Sequence, residues 1–327
     1  MAEAEGKGIL EKVDPRQPYL DRLEEIVDFQ AIASSGLKVV VDFLFGTARG
    51  YLDAALHKAG CQVNVLHDWR DPYFGNATPE PSEENLKELT FHVMESGSHL
   101  GLAVDGDADR FGIVDADGTY ILPYYIIALL LKHLIRHRGW KGATARSVAT
   151  THLIDAVAEK YGVPVIETPV GFNYIGDLIT QDRHILGGEE SAGLSIKGHI
   201  PEKDGILACL LVAEMVACSN KARVRHLLHD LFAEVGGPIF TRRVNLHLEP
   251  LAMERLQEKL RYPPFTLAEQ KVVEAKELDG LKLLFGDGSW VLFRASGTEP
   301  VARLYVEARD DYQMNRLLAA GKEFVYS

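Results

Sequence analysis

A rhythm of β-branched runs alternating with helical segments, repeated twice along the chain, restricts the fold more than any other feature. GLKVVVDFLFG (36–46) is a continuous apolar run, as a strand buried on both faces requires. A helix follows from about Thr47 to Ala59, with Tyr51, Leu52, Ala55, Leu56 and Ala59 on one stripe and Gly60 ending it. CQVNVLH is the next strand, Pro81-Ser82-Glu83-Glu84 opens a helix, and HLGLAV is a third strand. FGIVDADGTYI supplies two more, turning at Asp117-Gly118. Upstream, Leu20, Leu23, Ile26, Val27 and Ile32 share one helical face. The rhythm restarts near Pro123 with helix 124–138, strand ARSVAT, helix 152–161, strand VPVIET, helix 172–179 and strand HILGG. Such alternation makes βαβ units with parallel strands, so 36–121 and 122–232 read as two copies of one α/β architecture. After Gly236-Gly237-Pro238, short alternating strands and two helices make a small α+β domain.

At 327 residues the chain has room for two or three domains, each with its own core. A formal charge of -12 and no basic stripe exclude nucleic acid as a partner. Cys61, Cys209 and Cys218 form an odd set without C-x-x-C spacing, which predicts neither a disulfide framework nor zinc and points to the cytoplasm. The most apolar stretches, 124–131 and 205–218, are too short to span a bilayer and read as buried helices, so no membrane partner is expected. The charged opening, residues 1–18, reads as a tail rather than a signal peptide.

In each α/β half the last parallel strand runs into a polar loop, DGDADR (105–110) in one and GEESAG (188–193) in the other. Ligands of open α/β sheets sit at the carboxyl ends of strands. In an extended loop, alternate residues project to one side, so Asp105, Asp107 and Asp109 can converge on one cation. Hard oxygen donors with positions left for a phosphate favour Mg²⁺. An EF-hand is excluded because its sixth position would be Arg110 and its twelfth Ala116. A haloacid-dehalogenase-type phosphatase is disfavoured because Asp42 is followed by FLFG, without a second Asp two residues on. In the second loop, Glu189 and Ser191 suit vicinal sugar hydroxyls, with glycines allowing close approach. A third loop, RASGTEP (294–300), offers Arg294, Ser296, Thr298 and the Gly297 amide as a phosphate cradle. No general base stands out, since His152, His184 and His199 read as structural or surface residues.

Taken in order on two α/β domains and a final α+β domain, these loops closely resemble the α-D-phosphohexomutase family, the phosphoglucomutases and phosphomannomutases. VDFLFGTARG, the F-G-x-x-x-P-E-P segment 74–81, VGFNYIGDL and EKDG also match family patterns, and the likeness runs from about Tyr19 to the end. The resemblance implies two tandem α/β/α domains with mixed sheets followed by a small α+β domain. The expected bounds are a tail or junction remnant at 1–18, domain II with the metal loop at 19–121, domain III with the sugar loop at 122–235, and domain IV with the phosphate loop at 236–327. It implies Mg²⁺ at Asp105, Asp107 and Asp109 with Arg110 in support, sugar contacts from Glu189 and Ser191 with His199 nearby, and phosphate contacts from Arg294, Ser296, Gly297 and Thr298.

The implied activity is that of an isomerase interconverting the 1- and 6-phosphates of glucose or mannose through a bisphosphosugar, with glucose 1,6-bisphosphate as activator. The family's nucleophile is a phosphorylated serine in an S-H-N-P loop of a first domain, and no S-H-N-P string occurs here. The chain is therefore expected to be a fragment without the nucleophile domain, itself carrying no catalytic nucleophile. Ser98-His99 leads straight into a strand and is no substitute. Asn173 stands where the family usually has a lysine, which predicts weaker phosphate binding. The alternatives are a non-catalytic, Mg²⁺-dependent sugar-phosphate binding module and, third, a Mg²⁺-dependent phosphatase.

Overall fold

The β-branched runs form strands buried on both sides, as in Val39, Val40 and Val41, which are all fully buried. A computed structural model of the chain describes residues 6–181, 183–219, 223–295 and 300–327. They divide into two units, one built from the chain up to Tyr120 plus a segment starting at Gly205, the other from Ile121–Asp204 plus the chain from Arg223.

The first unit opens with α1 (Arg16–Ile26) and α2 (Phe29–Ser35) where sequence periodicity suggests one helix. Val27 is extended, and the Asp28 carboxylate accepts from the Ala31 amide, so a fresh N-cap splits the run. Then come β1 (Lys38–Asp42), α3 (Leu52–Lys58), β2 (Gln62–Leu66), a 3₁₀ turn (Phe74–Asn76), α4 (Lys87–Ser96), β3 (Leu100–Val104), β4 (Phe111–Asp115) and β5 (Tyr120–Ile121). The sheet order is β2-β1-β3-β4-β5. β1 runs parallel to β2 and β3, while β4 is antiparallel to β3. Residues 105–110 are too few for a crossover, so they close a hairpin and the sheet is mixed.

The second unit contains α5 (Pro123–Arg136), β6 (Ala143–Ser147), α6 (Leu153–Tyr161), β7 (Val165–Thr168), α7 (Phe172–Ile179), β8 (His184–Gly188) and β9 (Leu194–Ile196). β6 pairs in parallel with β7 and β8, and β9 returns antiparallel to β8. This repeats the first unit's plan of a parallel core with one hairpin strand. The next helix, α8 (Gly205–Ala217), belongs to the first unit, against α2, α3, β3 and β4. It is apolar all round except for Glu214, whose carboxylate accepts from the Asp28 amide at 2.8 Å.

α9 (Val224–Glu234) leads to the last sheet, β10 (Phe240–His247), β11 (Thr266–Leu267), β12 (Gln270–Lys276), β13 (Leu281–Phe285), β14 (Trp290–Ala295) and β15 (Val301–Ala308), with α10 (Pro250–Lys259) and α11 (Asp311–Tyr326). Its order is β10-β15-β14-β13-β12-β11, with every described pairing antiparallel. β14 is buried on both faces. Val291 and Phe293 join Leu304, Val306 and Leu317 in one core, while Trp290 and Leu292 pack with Tyr305, Val148 and Ala149 on the other side. Among the described residues no helix is long and apolar enough to cross a membrane.

Candidate functional site

In the first unit the three aspartates converge by a turn, not by the extended alternation expected from the sequence. The Ala108 amide donates to the Asp105 carbonyl at 3.1 Å, and Ala108 takes a left-handed φ of 66°. The Arg110 amide closes the hairpin onto Asp105 Oδ1 at 2.9 Å. One ligand oxygen from each of Asp105, Asp107 and Asp109 then lies within 4.8 Å of the others. The hairpin rests on backbone at two points. The Thr47 amide donates to the Gly106 carbonyl at 3.0 Å, and the Gly205 amide donates to the Ala108 carbonyl at 3.0 Å.

Negative charge is concentrated at this hairpin. Asp105 is 7% exposed, and burial, reinforced by Asp109 and Asp107, pushes its carboxyl up to about 7 against the opposing Arg110 amide. Arg110 neutralises little, because its Nη1 is engaged by Glu80 at 3.1 Å and its Nε stays 3.7 Å from Asp109 and 3.9 Å from Asp105. An all-oxygen donor set on a tight turn fits a small hard divalent ion such as Mg²⁺.

The second unit uses the same hairpin device. The Ala192 amide donates to the Glu189 carbonyl at 3.2 Å, and Ala192 has a φ of 70°. Glu189 is 5% exposed, and its Oε1 accepts from the Gly171 amide at 2.7 Å. Ser191 is half-buried on the same hairpin. Glu190 turns toward β6, accepting from the Ser147 hydroxyl at 2.8 Å and the Tyr305 hydroxyl at 3.3 Å. His199 has a buried imidazole whose Nε2 lies 2.7 Å from Asp204 Oδ2. Arg294 is the penultimate residue of β14, and its Nε donates to Asp279 Oδ2 at 2.8 Å. Ser296, Gly297 and Thr298 lie outside the described residues.

Sequence reasoning missed a buried ionic cluster in this unit. Lys282, on β13, is fully buried, and its ammonium donates to Val148 O (2.8 Å), Glu167 (3.1 Å) and His152 Nε2 (2.9 Å) while lying 4.2 Å over the Trp290 ring. Arg146 joins Glu167 at 2.7 Å and grips Asp155. Burial disfavours the Glu167 carboxylate, but Lys282 and Arg146 outweigh it and hold the group down at about 2. Lys282 is pushed down to about 8 by burial and by Arg146, with Glu167 opposing. Burial, then Lys282, holds His152 well below the usual imidazole range, which keeps its Nε2 an acceptor. LKLLF reads as a short alternating strand, and nothing in that pattern marks Lys282 as buried, because its acceptors Val148, Glu167 and His152 lie far away in the sequence.

With this geometry in view, three domain models of one family match the chain: phosphoglucomutase/phosphomannomutase alpha/beta/alpha domain II over residues 17–118, alpha/beta/alpha domain III over 123–235 and the C-terminal domain over 251–322. The chain belongs to the α-D-phosphohexomutase family. It is 31% identical to a phosphoglucomutase/phosphomannomutase of Thermococcus kodakarensis over 317 residues, covering 96% of this chain and 66% of that one. It overlays a provisionally assigned phosphomannomutase of Thermus thermophilus with a TM-score of 0.83 at 29% identity, covering 97% of this chain and 67% of that one. The fold of Aspergillus fumigatus N-acetylphosphoglucosamine mutase, solved with GlcNAc-6P and magnesium, matches with a TM-score of 0.63 at 13% identity, covering 95% and 70%. The chain spans about two thirds or less of the length of the curated relatives it matches, from 66% down to 59%.

Proposed function

We propose that this chain forms the metal-, sugar- and phosphate-binding part of a phosphohexomutase that interconverts the 1- and 6-phosphates of glucose or mannose. The observation that carries the reading is the aspartate hairpin, whose three oxygen ligands gather within 4.8 Å beside an Arg110 that is shared with Glu80. Asp105, Asp107 and Asp109 would hold Mg²⁺, which neutralises phosphoryl charge when bound. Arg294, with Ser296, Gly297 and Thr298, anchors the phosphate that is not reacting. Glu189 and Ser191 read the hydroxyls that a hexose presents in either orientation, and the buried His199–Asp204 pair braces the chain beyond that hairpin. Family membership, and the magnesium and GlcNAc-6P bound by the Aspergillus relative, support a sugar phosphate as ligand. A cytoplasmic setting and a glucose 1,6-bisphosphate activator belong to the same proposal.

The 327 residues hold no S-H-N-P string, so phosphoryl transfer needs a serine from outside them. The same fact favours a second reading, a binding module that never meets a nucleophile. Calorimetry of the purified chain with glucose 1,6-bisphosphate should show binding that requires Mg²⁺. A coupled assay should show no conversion of glucose 1-phosphate by the chain alone, and conversion once a domain bearing the S-H-N-P serine is added. Binding indifferent to Mg²⁺, or brisk conversion by the chain alone, would overturn the proposal, and binding with no conversion under any supplement would select the module.

A further inference from the structure

One side chain outside the family-matched loops connects two of them. Asp279 sits in the turn between β12 and β13, directly before Gly280, whose φ of 89° and place against the Phe293 carbonyl leave no room for a side chain, so the turn lies close on β14. Asp279 Oδ2 accepts from Arg294 Nε at 2.8 Å and from the Val170 amide at 3.0 Å. The next amide along, Gly171, donates to Glu189 Oε1 at 2.7 Å. Two consecutive amides of one loop are thus divided between two carboxylates, one orienting the phosphate arginine and one belonging to the sugar hairpin.

We infer that Asp279 is a positioning residue for hexose-phosphate recognition, fixing the Arg294 guanidinium relative to Glu189 through the Val170-Gly171 backbone; this rests on the function proposed above. The chemistry of arginine makes the arrangement useful. A guanidinium carries five N–H donors in a rigid plane, and holding Nε sets that plane while leaving both Nη groups to form a fork for phosphate. Left alone, a long side chain loses rotamer freedom on binding, a cost that a preset geometry removes. Gly171, with a φ of 136°, gives the loop the turn that lets the two amides reach opposite partners.

The test is a double-mutant cycle read by calorimetry of Mg²⁺-loaded chain against glucose 1,6-bisphosphate. Asp279→Ala should weaken binding about tenfold. Asp279→Asn keeps an acceptor oxygen for both N–H groups and should stay within about threefold of the wild type. In an Arg294→Gln background, Asp279→Ala should add nothing further. Equal binding by wild type and Asp279→Ala, or the same loss with Arg294 already replaced, would overturn the inference, since the second result means general damage to the fold. A ligand-free readout keeps the two proposals separate. In ¹⁵N spectra the Arg294 Nε–H should be protected from exchange in wild type and Asp279→Asn, and should exchange freely in Asp279→Ala. If the wild type binds no hexose phosphate, the functional reading fails on its own, while the Arg294 signal still decides whether Asp279 holds the guanidinium.

Discussion

At Gly46 an added methyl group would lie 2.7 Å from the Asp105 carbonyl oxygen and 2.8 Å from that of Gly106. Both are backbone atoms of the aspartate hairpin, so no side chain can swing aside to make room. The backbone conformation at Gly46 lies outside the left-handed region, so the requirement here is space rather than torsional freedom. Gly46→Ala should push the hairpin off its support, costing about 1–3 kcal/mol of stability. It should also weaken Mg²⁺ binding by about tenfold, as loss of a supporting contact around a metal site does. Thermal melts with and without Mg²⁺ check both effects, and an unchanged Mg²⁺-induced shift would show that the hairpin does not depend on this contact. Residues of this kind were only half legible beforehand. The D-x-D-x-D spacing exposed the carboxylates, because nothing in ordinary folding chemistry groups them. The left-handed Ala108 and Ala192 that aim the two hairpins carry no sequence mark, since alanine does not advertise a positive φ as glycine or asparagine does.

Between elements, what decides the chemistry is which strand faces which. Parallel strands buried on both sides show themselves as β-branched runs, and α7 and β8 fall at the positions read from the sequence, 172–179 and 184–188. The helical face at 20–32 misled because Asp28 caps a second helix in its middle, a local hydrogen bond that periodicity ignores. Lys282 carries no sequence mark for a different reason, since its partners Glu167, His152 and Trp290 come from other strands and loops of the same unit. This cluster makes stability depend on pH with a definite sign. The Glu167 carboxyl is held at about 2 in the folded chain against a reference of 4.5, so the unfolded chain takes up the proton first. Its stabilisation is complete above about 4.5 and is lost as the pH falls toward about 2. Glu167→Gln leaves Lys282 and Arg146 buried with one anion fewer, and should cost about 3 kcal/mol at neutral pH. Urea unfolding followed from pH 7 to pH 2 should show a steep acid limb in the wild type and a flatter one in the variant. Parallel curves would mean that the cluster does not set the acid limb.

For the molecule as a whole, the least legible feature is where α8 goes. A run from 205 to 216 that is apolar but for Glu214 announces burial, but a helix apolar on nearly every side names no partner, and chain order suggests the neighbouring domain. Instead α8 returns to the first unit, where its Gly205 amide braces the aspartate hairpin and its Glu214 carboxylate accepts from the Asp28 amide. The unit that holds the aspartates is therefore discontinuous in sequence, and its core is finished only by residues that follow the 188–193 hairpin in the chain. A piece ending at Tyr120 keeps β1 to β4 and every candidate metal ligand yet lacks the helix that packs on β3 and β4. Leu207, Leu210 and Leu211 of α8 are fully buried, and each such side chain contributes on the order of 2 kcal/mol, against a typical domain stability of about 5–15 kcal/mol. Residues 1–120 expressed alone should therefore keep far-UV helix and strand signal, lose near-UV dichroism, bind a hydrophobic dye and respond weakly to Mg²⁺. Adding a peptide of residues 203–219 should restore part of the near-UV signal and of the Mg²⁺ response. A short piece that proved rigid and matched the full chain's Mg²⁺ response would show that α8 is dispensable to the aspartate hairpin, and that the unit closes before the chain returns to it.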